Sequence, residues 1–198
     1  MGSPEQTFTE EERRKLLAIA RESIAAKLEK RKADYPEVTE SGLLEPSAAF
    51  VTLHIRSRAD DSSPGMLRGC IGTFERSQPL WEVVTEYARH AAFGDPRFPP
   101  VAARELPRIR IEISVLSPLR RLDDPLSFRL GVDGIEVEEV GGMRRRGTYL
   151  PQVATETGWD KETFLSHLCS EKAGLSPDAW RDREKVRVRA YSAEVFSE

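Results

Sequence analysis

The sequence has little cysteine, little histidine and no long uncharged run. Cys70 and Cys169 are the only cysteines in 198 residues. So few thiols, so far apart, exclude a disulfide scaffold and a CxxC zinc or redox motif. They suit a reducing compartment, so the expected location is cytoplasmic and a single bridge between them is the less favoured reading. The three histidines, His54, His90 and His167, fall in no HExxH or Cys/His pattern, and no metal site is expected. The longest stretch without Asp, Glu, Lys or Arg is Pro46–Ile55, ten residues, where a membrane span needs about 20. The N-terminal segment lacks the apolar core of a secretory signal. Basic residues are not in excess either. Lys and Arg number 30 against 33 Asp and Glu, a formal charge of −3, which disfavours bulk binding to nucleic acid or to a membrane surface. No GxGxxG or GKS/T loop is present, so no nucleotide cofactor, or any other, is expected.

What remains is a chain with enough apolar residues, 39%, to build a core, and with 32% charged residues, more than the roughly 25% usual for globular domains. Residues 1–7 are set aside as a flexible leader and 8–198 are read as one domain, with two sublobes whose boundary stays open. Thr9–Lys32 reads as a helix, with Thr9 and Glu12 at capping-box spacing and Leu17, Ala20, Ile24 and Leu28 on one face. Tyr35–Glu45 reads as a linker. Ala49–Arg56 alternates as a strand, with Val51, Leu53 and Ile55 on one side and Phe50, Thr52 and His54 on the other. Ser57–Gly65 is a polar connection to a second strand, Met66–Phe74. Pro79–Phe93 is the strongest helix, stopped by Gly94, and the prolines of Asp95–Pro100 enforce an irregular segment. Further strands are expected at Arg108–Leu116, at Gly131–Val140, and at Val186–Phe196, the last as one strand. Thr148–Val153 is expected to be extended beyond an Arg144–Arg146 tip, and Lys161–Lys172 to be a helix ended by Gly174. Strands and helices without a βαβ rhythm point to an α+β fold, mostly antiparallel sheet flanked by helices.

One segment carries unusual chemistry for a strand: Leu67-Arg68-Gly69-Cys70-Ile71-Gly72. Two glycines in a strand imply close approach by a backbone or a ligand. Strand periodicity puts Arg68 and Cys70 on one face, where a guanidinium would favour the thiolate, as a nucleophilic or redox cysteine needs. Pairing residue 54 with 68 would set Thr52 opposite Cys70 and place His54 beside Arg68 as an acid or base. A one-residue slip would turn His54 away. The plainer reading is a buried small hydrophobe beside a bulge, and both stay open here.

LRGCIGTF, followed in order by AAFGDPRFPP, EISVLSPL, YLPQVATETGWD and FLSHLCSEKAGL, resembles the AMMECR family from about Phe8 to the C-terminus. Prokaryotic members of that family are called AmmeMemoRadiSam system protein A. The resemblance implies an α+β fold of two unequal lobes with a cleft between them, and a functional segment at Leu67–Gly72. It also implies genomic association with a Memo-like protein and a radical S-adenosylmethionine enzyme, which are the partners it suggests. It implies no particular reaction.

The residues around that segment divide into sharper and plainer readings. Cys70 and Arg68 are the catalytic candidates, with Gly69, Gly72, Asp95, Arg97 and Glu112 as candidates to line the cleft. Asp95 and Arg97 flank a proline, where a loop-stiffening ion pair is the plainer reading and capture of an anion by Arg97 the sharper one. Glu112 lies opposite an apolar strand face. His90 and His167 read as structural, and the Arg144–Arg146 tip as solvated, since no stacking aromatics interleave with it. Two function classes follow: an enzyme or enzyme-system component working at Cys70, and an adaptor whose LRGCIG surface docks a partner protein. RNA binding ranks below both.

Overall fold

The structure, a computed structural model, describes residues 8–58, 65–143 and 145–198. The expected leader 1–7, residues 59–64 of the polar connection, and Arg144 lie outside the described residues. Within them the helices are α1 (Glu10–Glu29), α2 (Ser41–Leu44), α3 (Leu80–Phe93), α4 (Pro151–Thr157) and α5 (Lys161–His167). The strands are β1 (Ala48–Ile55), β2 (Met66–Thr73), β3 (Ile109–Leu116), β4 (Arg120–Arg121), β5 (Gly134–Glu139), β6 (Arg146–Tyr149), β7 (Val186–Tyr191) and β8 (Ala193–Ser197). They form two four-stranded sheets, in orders β2-β1-β3-β8 and β4-β7-β5-β6. The β1–β2, β1–β3, β4–β7, β5–β6 and β5–β7 pairs are all antiparallel. The fold is α+β. No helix among the described residues is long and apolar enough to cross a membrane.

The chain divides into two compact units, one running to Leu116 and taking back Glu194–Glu198, the other formed by Ser117–Ala193. In the first, α1 starts on the expected capping box. The Thr9 hydroxyl accepts the Glu12 N–H at 3.2 Å, and the Glu12 carboxylate accepts the Thr9 N–H at 2.8 Å. The helix ends at Glu29, short of the expected Lys32, because Lys30 turns left-handed at φ 54°. Leu16, Ala20 and Ile24 of α1 join Val83, Val84 and Ala88 of α3 over the inner sheet face of Val51, Leu53, Ile111 and Ile113. The expected linker contains the short helix α2, whose Leu43 is buried in the same core.

Three other expectations are corrected. The strand expected over Val186–Phe196 is two strands, β7 and β8, in different sheets. It carries no Gly or Pro to mark a break. The break falls at Ser192, which exchanges hydrogen bonds with Ser117, the residue where the chain enters the second unit (2.9 Å each). Thr148–Val153 is not extended throughout, because Pro151 opens α4, a position where its missing N–H costs nothing. The helix expected over Lys161–Lys172 is α-helical only to His167 and widens into a π turn at Leu168–Lys172. In the second unit, Phe164, Leu165, Leu168 and Cys169 pack against Ile135, Val137, Val186 and Val188.

Gly69 fixes how the first unit closes. A Cβ built there would sit 2.1 Å from the Ala91 carbonyl oxygen of α3, well inside any contact distance. The helix backbone therefore lies directly on edge strand β2, and only glycine permits it. Gly72 has the same role toward β1, since its Cβ would meet Phe50 Cγ and the Ala49 oxygen at 2.4 Å each. Gly69→Ala is expected to lower unfolding free energy by about 1–3 kcal/mol or more, measured as a lower urea midpoint with an unchanged slope. A midpoint equal to that of the unaltered chain would contradict the contact.

Candidate functional site

The outer face of the first sheet sets three polar side chains in a row across three strands. Thr52 of β1 is paired with Cys70 of β2 on one side and Glu112 of β3 on the other. The Thr52 hydroxyl donates to Cys70 Sγ at 3.1 Å. The expected pairing of Thr52 with Cys70 is present, but His54 faces Leu67, because the register shifts between Leu53 and His54 and leaves Arg68 as the extra residue of a bulge. The extra residue shifts the alternation of β2 by one position across the bulge, which sets Leu67 rather than Arg68 opposite His54.

Among the described residues no further strand lies beyond β2, and the Cys70 backbone N–H donates to Asp95 Oδ2 at 2.9 Å. Asp95 reaches it because Gly94 ends α3 immediately beside β2. The Asp95 carboxylate is 1% exposed, and it also takes both faces of the Arg97 fork: Nε at 2.9 Å and Nη2 at 2.7 Å. The Arg97 N–H closes an Asx turn at 3.1 Å, and Arg97 Nη2 donates to the Cys70 carbonyl at 3.3 Å. Arg97 beside it, with the N–H bonds of Cys70 and Arg97, holds the Asp95 carboxyl far below the ordinary carboxylate range. The Arg97 side chain itself is 54% exposed, so the pair presents a guanidinium to solvent next to the thiol.

The thiol's environment departs from the expectation that a nearby cation would lower its pKa. Burial pushes Cys70 up, the Thr52 hydrogen bond and the Arg97 charge pull it down, and the Asp95 and Glu112 charges push it up again. Burial wins. The cation at the thiol is Arg97, not Arg68. Arg68 is buried and forked onto Glu105, with Nε–Oε1 at 2.8 Å and Nη2–Oε2 at 3.2 Å. No hydrogen bond or ion pair among the described residues links it to Cys70. Glu105 also accepts the Ala102 N–H at 2.8 Å, so Arg68 pins the segment after Pro100 to β2. Glu105 is a partner that sequence reasoning missed, lying 37 residues from Arg68 in no motif. Gly69 and Gly72 each let a neighbouring backbone approach closely. His90 is exposed against Tyr87, and His167 is stacked on Trp159 with ring centroids 4.0 Å apart. Cys169 is sealed in the second core, where burial pushes it up to about 11. Among the described residues, no group of three or more His, Cys, Asp or Glu side chains is placed to hold a metal ion.

The AMMECR1 family model matches residues 17–196. The chain belongs to the AMMECR1 family. A protein of Methanothermobacter thermautotrophicus is 42% identical over 202 residues, covering 96% of each chain. Protein SSO0193 of Saccharolobus solfataricus is 39% identical, covering 98% of this chain and 84% of its own. The crystal structure of the uncharacterized protein PH0010 from Pyrococcus horikoshii superposes with a TM-score of 0.79 at 38% identity, over 92% of this chain and 89% of that one. This AMMECR1 chain is therefore similar to its relatives over nearly its whole length, including both units.

Asp95 is the ionisable group whose role at the site is easiest to weigh. Its folded pKa lies far below the unfolded value of about 3.9. Its ionisation therefore stabilises the fold fully above that unfolded value, and the contribution fades as pH falls below it. Asp95→Asn should cost about 1.5–3 kcal/mol at pH 7. The gap to the unaltered chain should hold down to about pH 5 and narrow below about pH 4. Denaturant unfolding across that range checks it, and a gap that does not depend on pH would refute the ionic role.

Proposed function

We propose that this AMMECR1 chain is an enzyme, or a component of an enzyme system, whose working group is the Cys70 thiol. The observation that carries this reading is the cross-strand row Cys70–Thr52–Glu112, flanked by the solvent-facing guanidinium that Asp95 fastens beside Cys70. A thiol held as the neutral acid needs a base and a partner for the resulting anion. Glu112 is the carboxylate in the row that takes the proton, and Thr52 donates to the sulfur. Arg97 offsets the negative charge or binds an anionic group of the substrate. The sulfur lone pair then attacks a substrate carbonyl carbon, whose C=O π pair moves onto oxygen. In the redox version the thiolate attacks a substrate disulfide, forming a mixed disulfide and releasing the second sulfur as a thiolate. A reducing cytosol is the compartment that fits this reading.

Alkylation by iodoacetamide, followed residue by residue with mass spectrometry, tests it. Cys70 should react in the native protein with a midpoint above the free-thiol value of about 8.5. Glu112→Gln should shift the midpoint down and speed reaction at pH 8 a few-fold. Arg97→Gln should shift it up and slow reaction, because it removes the cation and leaves Asp95 uncompensated. A Cys70 that is labelled only after unfolding would sink the reading.

A second reading rests on a different observation. Met66 and Leu67 open edge strand β2 and are 74% and 41% exposed, and an apolar edge strand suits docking by a partner protein. The candidates are the Memo-like protein and the radical S-adenosylmethionine enzyme. In binding measurements with either purified protein, Met66→Lys and Leu67→Asp should each weaken association at least about tenfold, while Cys70→Ser leaves it unchanged. Equal affinity for all three variants would reject docking through this edge.

A further inference from the structure

The second unit holds a joined cluster of side chains that the Cys70 reading does not use. Its members are Tyr149 at the end of β6, Trp159 between α4 and α5, and His167 and Glu171 where α5 runs into the π turn. The Glu171 carboxylate bridges two of them. Tyr149 Oη donates to Oε2 at 2.7 Å, and His167 Nδ1 meets Oε1 at 2.7 Å. The imidazole lies flat on the Trp159 indole, with centroids 4.0 Å apart and planes 7° from parallel.

The backbone fixes each member. Gly158 turns left-handed at φ 68° to end α4, and the Asp160 carboxylate caps α5 by accepting the Thr163 N–H at 2.8 Å. Trp159 is held between those two points. The Ala173 N–H reaches the Leu168 carbonyl at 3.2 Å, the i→i+5 bond of a π turn. β6 lies against that turn, since a Cβ built on Gly147 would be 2.5 Å from Lys172 Cβ. The approach brings the buried Tyr149 of the same strand to Glu171. Widened turns of this kind recur at functional sites.

These contacts decide which imidazole nitrogen carries the proton. Hydrogen bonds from Tyr149 and His167 hold the Glu171 carboxyl below the ordinary carboxylate range, so it is ionised and only accepts. Nδ1 is therefore the N–H donor, and in the neutral ring Nε2 keeps its lone pair. Nε2 has no hydrogen-bond partner among the described residues, and the side chain is 40% exposed. Stacking on Trp159 would suit either tautomer. The bridged carboxylate selects one.

We propose that His167 is a second proton-transfer centre of this chain, in which Nε2 takes the proton of a substrate hydroxyl group or of a water molecule. The Nε2 lone pair forms the new N–H bond, and the O–H pair stays on oxygen, which becomes the nucleophile. Glu171 and Tyr149 are positioning residues. The carboxylate offsets the charge of the imidazolium, and the phenol keeps the carboxylate in place. The centre lies wholly in the second unit and does not rest on the role given to Cys70.

The full chain carrying Cys70→Ser, which removes the thiol, serves for the test. Nitrogen NMR at about pH 8, where free imidazoles are neutral, should show His167 as the Nδ1–H tautomer. Glu171→Gln should admit the Nε2–H form. Para-nitrophenyl acetate, an activated ester that water splits into acetate and nitrophenolate, should be hydrolysed faster than by the same chain carrying His167→Gln. Glu171→Gln should lower that excess about tenfold and Tyr149→Phe by less, while Glu171→Asp retains part of it. Three outcomes overturn the proposal: an Nε2–H tautomer with Glu171 in place, hydrolysis equal with and without His167, or an excess that Glu171→Gln leaves unchanged.

Discussion

The approach of the Ala91 carbonyl to Gly69 is the constraint on which the candidate site depends. It brings the end of α3 onto edge strand β2, so the irregular segment that follows begins beside Cys70. Asp95, the second residue after the helix, then reaches an edge-strand N–H that would otherwise have no partner. With the carboxylate placed there, its remaining lone pairs take the Arg97 fork. At the far end of the same segment, Glu105 is captured by Arg68. One missing Cβ thus precedes an N–H bond, an ion pair and the position of a loop.

The electrostatics of this neighbourhood are ordered by burial. Asp95 is buried but surrounded by donors, so ionisation is favoured and its pKa falls. Cys70 is partly buried with a single donor on sulfur and two carboxylates nearby, so the neutral thiol is favoured and its pKa rises. The two groups are neighbours and shift in opposite senses because the Arg97 hydrogen bonds outweigh burial at Asp95, whereas burial outweighs the Thr52 hydrogen bond and the Arg97 charge at Cys70.

Much of the fold is legible along the chain. The Thr9 capping box, the apolar stripe of α3, its Gly94 stop and the alternation of β1 and β3 are local signals read at their proper periods. Less visible were features set by distant partners. The division of Val186–Phe196 between two sheets depends on Ser117 meeting Ser192, and the bulge at Arg68 on how β2 pairs with β1. Around Leu67–Gly72, the sequence pointed to the close approach at the glycines and paired Thr52 with Cys70. It assigned the cation wrongly, because Arg68 is two residues from Cys70 in the chain while Arg97 is 27 away.

By itself, then, the sequence determined the α+β class, the family, the two isolated thiols and the oddity of Leu67–Gly72, since each is written in composition, periodicity or a contiguous motif. Tertiary structure alone decided which charges are matched. The near-zero net charge said nothing of whether Arg97 meets Asp95 or whether Arg68 meets Glu105. Ion pairing falls off over a few ångströms, and residues far apart in the chain come within that range only when strands and helices pack.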